Sequence, residues 1–337
     1  MPAPRPVQLL QTLQVPLLQP LPIPSLQVPL LQIALLLIPL LLPFAAPPLA
    51  RRILDRCPPV AALWTLTASA LLLAGGTVAA LGTLALSGLL KIPAFAALGE
   101  LTHPLRTPSA RLILPLAALA AGLLTLGALT LGRSVLRQVT GFRAARSEAD
   151  RRPAAGDLCV VDSPHPDAYA LPGRPQRIVV TTGMLRSLDA AEREALFAHE
   201  RAHNAGRHHY FLAVAELTAH CHPALRPVRA AIRLAAERAA DEVAASAVGD
   251  RRLTARAIAR AALASAAPPP HSSVTPGVAT GPVPHRVTAL LSPVPLRPRT
   301  WIAALLTTCA LLSSTTAATV ALQVHENIEI AQGETAH

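Results

Sequence analysis

The sequence predicts a mainly α-helical, multi-span membrane protein with a small α+β domain set between its third and fourth spans. Three observations carry that prediction. Hydrophobic residues make up 52% of the 337 residues while charged residues make up only 15%, a balance of membrane proteins rather than of simple soluble domains. Four uncharged stretches are long enough to cross a bilayer, which takes about 20 residues. A single segment, 133–300, alternates polar and apolar residues with the texture of a water-facing domain.

Residues 1–29 read as a Pro/Leu/Gln-rich leader of unknown role. The heptapeptide LQVPLLQ occurs at 13–19 and again at 26–32, and proline at that density opposes a regular helix. The predicted spans are 30–50, closed by Arg51 and Arg52, then 60–90, 112–131 and 301–322, with a short tail at 323–337. No short apolar core precedes a small-residue cleavage site, so a secretory signal is not expected.

The net charge of +11 comes almost wholly from arginine, Lys91 being the single lysine. With 3% aromatic residues and no nucleic-acid motif, direct nucleic-acid binding is not expected. Arginine flanking apolar runs fits contact with the bilayer instead. Arg133, Arg137, Arg143, Arg146, Arg151 and Arg152 follow the third span. By the positive-inside rule they place 133–300 in the cytoplasm of a plasma-membrane protein, with the N-terminus and the tail outside. Cys57, Cys159, Cys221 and Cys309 show no paired spacing, which argues against disulfides or a thiolate metal site. Cys159 reads as a small core residue.

Within 133–300, Arg177–Thr182 is β-branched and reads as a strand. Asp189 followed by Glu192 has the form of a capping box, opening a helix that stops near Gly206. Helices are predicted at about 210–220, 227–248 and 252–266, then proline-rich loop interrupted by a helix-like 285–291.

The capped helix carries His199-Glu200-Arg201-Ala202-His203. Residues i and i+4 lie on one helix face, so both imidazoles can reach one metal ion, and Glu200 is placed to take a proton from a water. This is the arrangement of a zinc-dependent peptidase, with one catalytic Zn2+ and a protein as substrate.

Two residues compete for the third ligand. His209 completes H-E-x-x-H-x-x-G-x-x-H, the metzincin pattern, but that family needs a methionine downstream, and Met1 and Met184 both lie upstream. Glu237 stands 34 residues after His203, among alanines that allow its helix to pack closely, and the reading favours it. Asp241, one turn later, is placed to orient a ligand histidine. Arg286 and Tyr210 are the candidates for a transition-state stabiliser, the alternative for each being an ordinary surface residue. His208, His220 and His222 read as surface or loop histidines. The strand at 177–182, or the extended segment near Tyr169, is expected to pair with substrate backbone.

The stretch Asp167–Ala170 with Leu171-Pro172-Gly173, then RIVVTTGMLRSLDAAEREALFAHERAH, then ERAADEVAASAVGDR, resembles the membrane-embedded gluzincins. Among them it is most similar to the BlaR/MecR-type antirepressor peptidases in their short actinobacterial form, with HtpX-type quality-control proteases as nearer outgroup. The resemblance implies a zincin-like domain with His199, His203 and Glu237 as zinc ligands and Glu200 as the base. It also implies regulated cleavage of a cytoplasmic winged-helix repressor. The alternatives are quality control of membrane proteins, or a non-catalytic signalling scaffold, against which the intact Glu200 argues. Only about 15 residues follow the last span, without an S-x-x-K motif, so β-lactam sensing by acylation is not expected.

Overall fold

The computed structural model describes residues 35–98, 110–266, 282–292 and 300–332. The leader at 1–29 and most of the proline-rich loop lie outside these residues. The described chain is mainly helical, with one three-stranded sheet.

Four helices are long and apolar enough to cross a membrane: Leu35–Arg56, Pro59–Leu89, Ile113–Arg151 and Thr300–Ile330. The first ends in α1 (Ala46–Arg56), the second is α2 (Pro59–Leu89), and a short α3 (Pro93–Leu98) follows. The third lies within α4 (Ala110–Arg151). Among the first three spans, two boundaries differ from the sequence reading. Arg51, Arg52 and Arg56 belong to the first helix rather than to a link after it, and α4 continues for twenty residues past the expected end at 131. The physical reason is that arginine is a good helix former. A charge marks where the bilayer must stop, not where the helix does.

Strands β1 (Leu158–Val161), β2 (Ala168–Leu171) and β3 (Arg177–Thr181) form the sheet in the order β1-β3-β2. β3 is therefore central, parallel to β1 and antiparallel to β2. Its apolar run is buried on both faces, as a central strand requires. Cys159 on β1 is fully buried.

The helices that follow are α5 (Thr182–Ser187), α6 (Ala190–Ala205), α7 (His208–Cys221), α8 (Arg226–Val248), α9 (Arg251–Ala266), α10 (Pro282–Leu291) and α11 (Thr300–Gln332). α11 extends well past the expected end of the fourth span at 322.

The helices after the sheet do not form a separate body tethered to the spans. Ile53 of α1, Leu66 and Leu73 of α2, and Ile302 and Leu306 of α11 share one buried cluster with Ala215 of α7 and Val228, Ile232 and Ala235 of α8. The Arg238 guanidinium donates to the Leu54 carbonyl at the end of α1. α2 and α11 cross closely at Gly76, where a Cβ would lie 2.6 Å from Ser313 Oγ. Small residues at a crossing let two backbones approach, and Ser314 Oγ donates across it to the Leu72 carbonyl at 3.0 Å.

Candidate metal centre

The start of α6 is fixed by the predicted capping box. The Glu192 backbone N–H donates to the Asp189 carboxylate at 2.9 Å, and the Asp189 N–H donates to Glu192 at 3.0 Å. The fully buried Glu192 carboxylate also accepts from Arg256 and Arg260 of α9. Burial works against its charge, but the Arg260 and Asp189 N–H bonds and Arg256 outweigh it and hold Glu192 below the usual carboxylate range. α6 is thus anchored to α9 at its first turn, two turns before His199.

Gly206 ends α6 as expected, though for another reason than a left-handed cap. Its φ is −74°, and the left-handed residue is Arg207. A Cβ on Gly206 would lie 2.5 Å from His208 Nε2 and 3.0 Å from the Ala202 carbonyl. Glycine is needed there so that His208 can fold back beneath the helix.

His199, His203 and Glu237 converge, with one donor atom from each within 4.8 Å of the others. His199 Nε2 and His203 Nε2 are 3.1 Å apart. Glu237 Oε2 is 3.5 Å from the first and Oε1 is 3.6 Å from the second. Ligands placed about 2.0–2.1 Å from a common tetrahedral centre sit about 3.3 Å from one another. The observed spacings bracket that value, and two imidazoles with a carboxylate are a donor set zinc accepts. Among the described residues this is the one cluster with that property.

The surroundings hold these donors in place. Asp241, one turn after Glu237 on α8, puts Oδ1 3.0 Å from His199 Nδ1, at an angle that leaves Nδ1 without a hydrogen bond. Burial disfavours a charge on His199, yet Asp241 and Glu237 overcome it and lift its pKa to about 9. The same contacts, with Arg286, hold Glu237 and Asp241 well below the usual range against their burial. Arg286 of α10 reaches in from the other side, its side chain only 12% exposed. It donates to both Asp241 oxygens at 2.8 and 2.6 Å and lies 3.0 Å from Glu237 Oε2.

Glu200 is 8% exposed and lines the same cavity of about 390 Å³ with His199, His203, Glu237 and Arg286. Burial raises its pKa, despite the two histidines and a hydrogen bond from the Ala170 backbone. One wall of the cavity is β2 and its flanks, Asp167–Ala170 and Pro172.

Several expectations need correction. β3 cannot take an added strand, because β1 and β2 occupy both its edges; β2 is the edge that borders the cavity. Tyr210 is exposed and stacks beside His209, with ring centroids 4.1 Å apart, away from the cavity lining. His209, passed over for the third ligand in favour of Glu237, lines the cavity and lies outside the donor cluster, so that choice needs no correction. His208 is no surface residue: it is buried, with Nδ1 3.0 Å from His203 Nδ1. Burial and the neighbouring His203 push its pKa down to about 4, so a neutral His208 can accept the His203 Nδ1–H and leave Nε2 facing the cluster. The signal was in the sequence, since Gly206 marks the tight turn that returns His208. His222 is also buried, accepting from the Ala224 N–H at the start of a short 3-10 turn and packing edge-on against Phe44. His220 Nδ1 lies 2.8 Å from the Glu216 carbonyl.

No curated protein and no solved structure matches this chain. A family model does match, over residues 136–224. That segment contains the sheet, α6 with His199, Glu200 and His203, and α7 with His208; it ends before Glu237, Asp241 and Arg286. Over residues 136–224 the chain is similar to peptidase family M48.

Proposed function

We propose that this protein is a membrane-bound zinc metalloendopeptidase that cleaves a cytoplasmic or membrane-proximal protein. The observation that carries the reading is the convergence of His199, His203 and Glu237 beside a buried Glu200 in one cavity. His199, His203 and Glu237 would hold the zinc ion, which when bound supplies a Lewis acid for the scissile carbonyl and for water. Glu200 accepts the water proton and passes it to the leaving amine, and its place in the cavity beside both histidines suits both transfers. Arg286, already at the cavity wall with positive charge directed inward, steadies the negative charge that develops on the carbonyl oxygen. The β2 edge aligns an extended substrate by backbone pairing, which favours loops and unfolded segments over folded surfaces.

The orientation reading is that the cavity faces the cytoplasm. It is supported by Arg238 of α8, which reaches the end of α1 and keeps the catalytic helices beside the α1–α2 corner. The positive-inside rule would put Arg51, Arg52, Arg56 and the arginines of α4 on that same side.

For the physiological role, regulated proteolysis of a transcriptional repressor of winged-helix type is the first reading, carried by the resemblance of the motifs. Quality control of membrane proteins is the second. It is favoured by the shared core of α1, α2, α8 and α11, which holds the cavity against the bilayer where misfolded membrane segments would arrive.

The test is cleavage of casein and of a candidate repressor by the protein purified in detergent, wild type beside Glu200→Ala. The reading expects zinc-dependent cleavage by the wild type and none above background by the variant. Equal cleavage by both would refute the role given to Glu200.

A further inference from the structure

A second and larger cavity, of about 930 Å³, lies behind the metal centre. It is lined by Arg51 and Arg56 of α1, Arg238 and Glu242 of α8, Arg251 at the start of α9, and His285 of α10. The two cavities share α8 and α10 as a wall. Glu237 and Arg286 line the first, and their chain neighbours Arg238 and His285 line the second.

The charges of this second cavity do not cancel internally. Arg251 is committed: it pairs with Glu242 and donates to the Ala289 and Leu290 carbonyls. Arg51 and Arg56 have no ion pair among the described residues. Arg238 uses one nitrogen on the Leu54 carbonyl, while its buried Nε has no hydrogen-bond partner. Asp55 is the only acid in the lining besides the paired Glu242. Three guanidinium groups thus face the space against one free carboxylate. Arg51 and Arg56 stand in the last turns of a helix long enough and apolar enough to cross a membrane.

We propose that this cavity binds a phosphate-bearing anion, held by Arg51, Arg56 and Arg238. Guanidinium forks match phosphate oxygens, and basic pockets among membrane helices take anionic headgroups. The same chemistry admits two sources, the phosphodiester of an anionic phospholipid or a soluble phosphate. Occupancy would brace α8 and α10 from behind, the two helices that present Glu237 and Arg286. The proposal does not rest on peptidase activity, and its test reads binding alone.

The full-length protein in detergent is examined by native mass spectrometry with added phosphatidylglycerol or phosphatidylcholine, and by thermal unfolding with millimolar inorganic phosphate. Preferential retention of phosphatidylglycerol, by about tenfold, assigns the lipid source. A rise in unfolding temperature with phosphate, without lipid preference, assigns the soluble source. In either case Arg51→Gln/Arg56→Gln and, separately, Arg238→Gln should reduce the effect at least several-fold. Arg133→Gln/Arg143→Gln, which removes the same charge from α4, should not. Since Arg238 also ties α8 to α1, the Arg51/Arg56 pair keeps the test decisive if Arg238→Gln fails to fold. Equal retention of both lipids with no phosphate effect, or equal losses in the cavity and α4 variants, would overturn the proposal.

Discussion

Replacing Arg286 by leucine should weaken catalysis yet tighten zinc binding. Arg286 lies 3.0 Å from Glu237 Oε2, one of the oxygens the metal needs, and holds both oxygens of Asp241. It therefore competes with the metal for Glu237 while compensating two buried carboxylates in the metal-free protein. Removing one partner of such a buried pair costs about 3–5 kcal/mol. In the zinc-loaded protein the cation takes over the compensation of Glu237, and only the Asp241 contact is lost. If that is roughly half the cost, the metal-free state is penalised by about 2 kcal/mol more than the loaded one. At about 1.4 kcal/mol per factor of ten, zinc should bind about thirtyfold more tightly to Arg286→Leu. Competition against a chromophoric chelator, on protein stripped of metal, measures this. Turnover of a peptide substrate by the same zinc-saturated sample should fall by about a hundredfold, as for loss of one oxyanion donor. A fall in zinc affinity of tenfold or more would refute the reasoning, because Arg286 would then be a prop for Glu237 rather than its competitor.

Other consequences are as direct. His208→Ala removes the group that faces His203 Nδ1 and should weaken zinc binding by about tenfold, while the buried His222→Ala should leave it unchanged; the chelator assay distinguishes them. Glu192→Gln loses the charge that anchors α6 to α9 and should cost about 2 kcal/mol at neutral pH, read as a lower unfolding temperature in detergent. Its pH dependence has a definite sign. Because the folded-state pKa of Glu192 lies below the ordinary 4.5, the stabilisation is full above that value and disappears as pH falls through the folded pKa. Wild type and variant should converge as the pH falls below the depressed folded-state pKa, and a constant gap down through the acid range would contradict the ion-pair account.

The sequence was most legible where local chemistry and periodicity agree. Asp189 and Glu192 announced the start of α6, Gly206 its end, and the i, i+4 histidines shared a face wherever that helix packed. Asp241 and Arg286 were legible as candidates, though nothing local showed that one grips the other; that contact joins residues 45 positions apart. His208 was misread because two adjacent histidines after a turn look solvated in sequence, and only the tight Gly206–Arg207 turn buries one of them. The strand at 177–182 was found, but its central position was not. A four- or five-residue strand carries no mark of which neighbours pair with it, and order β1-β3-β2 is set by the returning chain. The ends of the spans were misplaced for a related reason. Hydropathy reports the bilayer boundary, whereas α4 and α11 keep their helical hydrogen bonds beyond it.

The central claim is that His199, His203 and Glu237 together make a metal centre served by Glu200. Bound zinc per chain, measured by elemental analysis after purification in detergent, tests it most directly in four samples. Wild type and Glu200→Ala should each hold about one zinc, and His209→Ala should as well, while Glu237→Ala should lose most of it. Full occupancy in Glu237→Ala together with loss in His209→Ala would contradict the account.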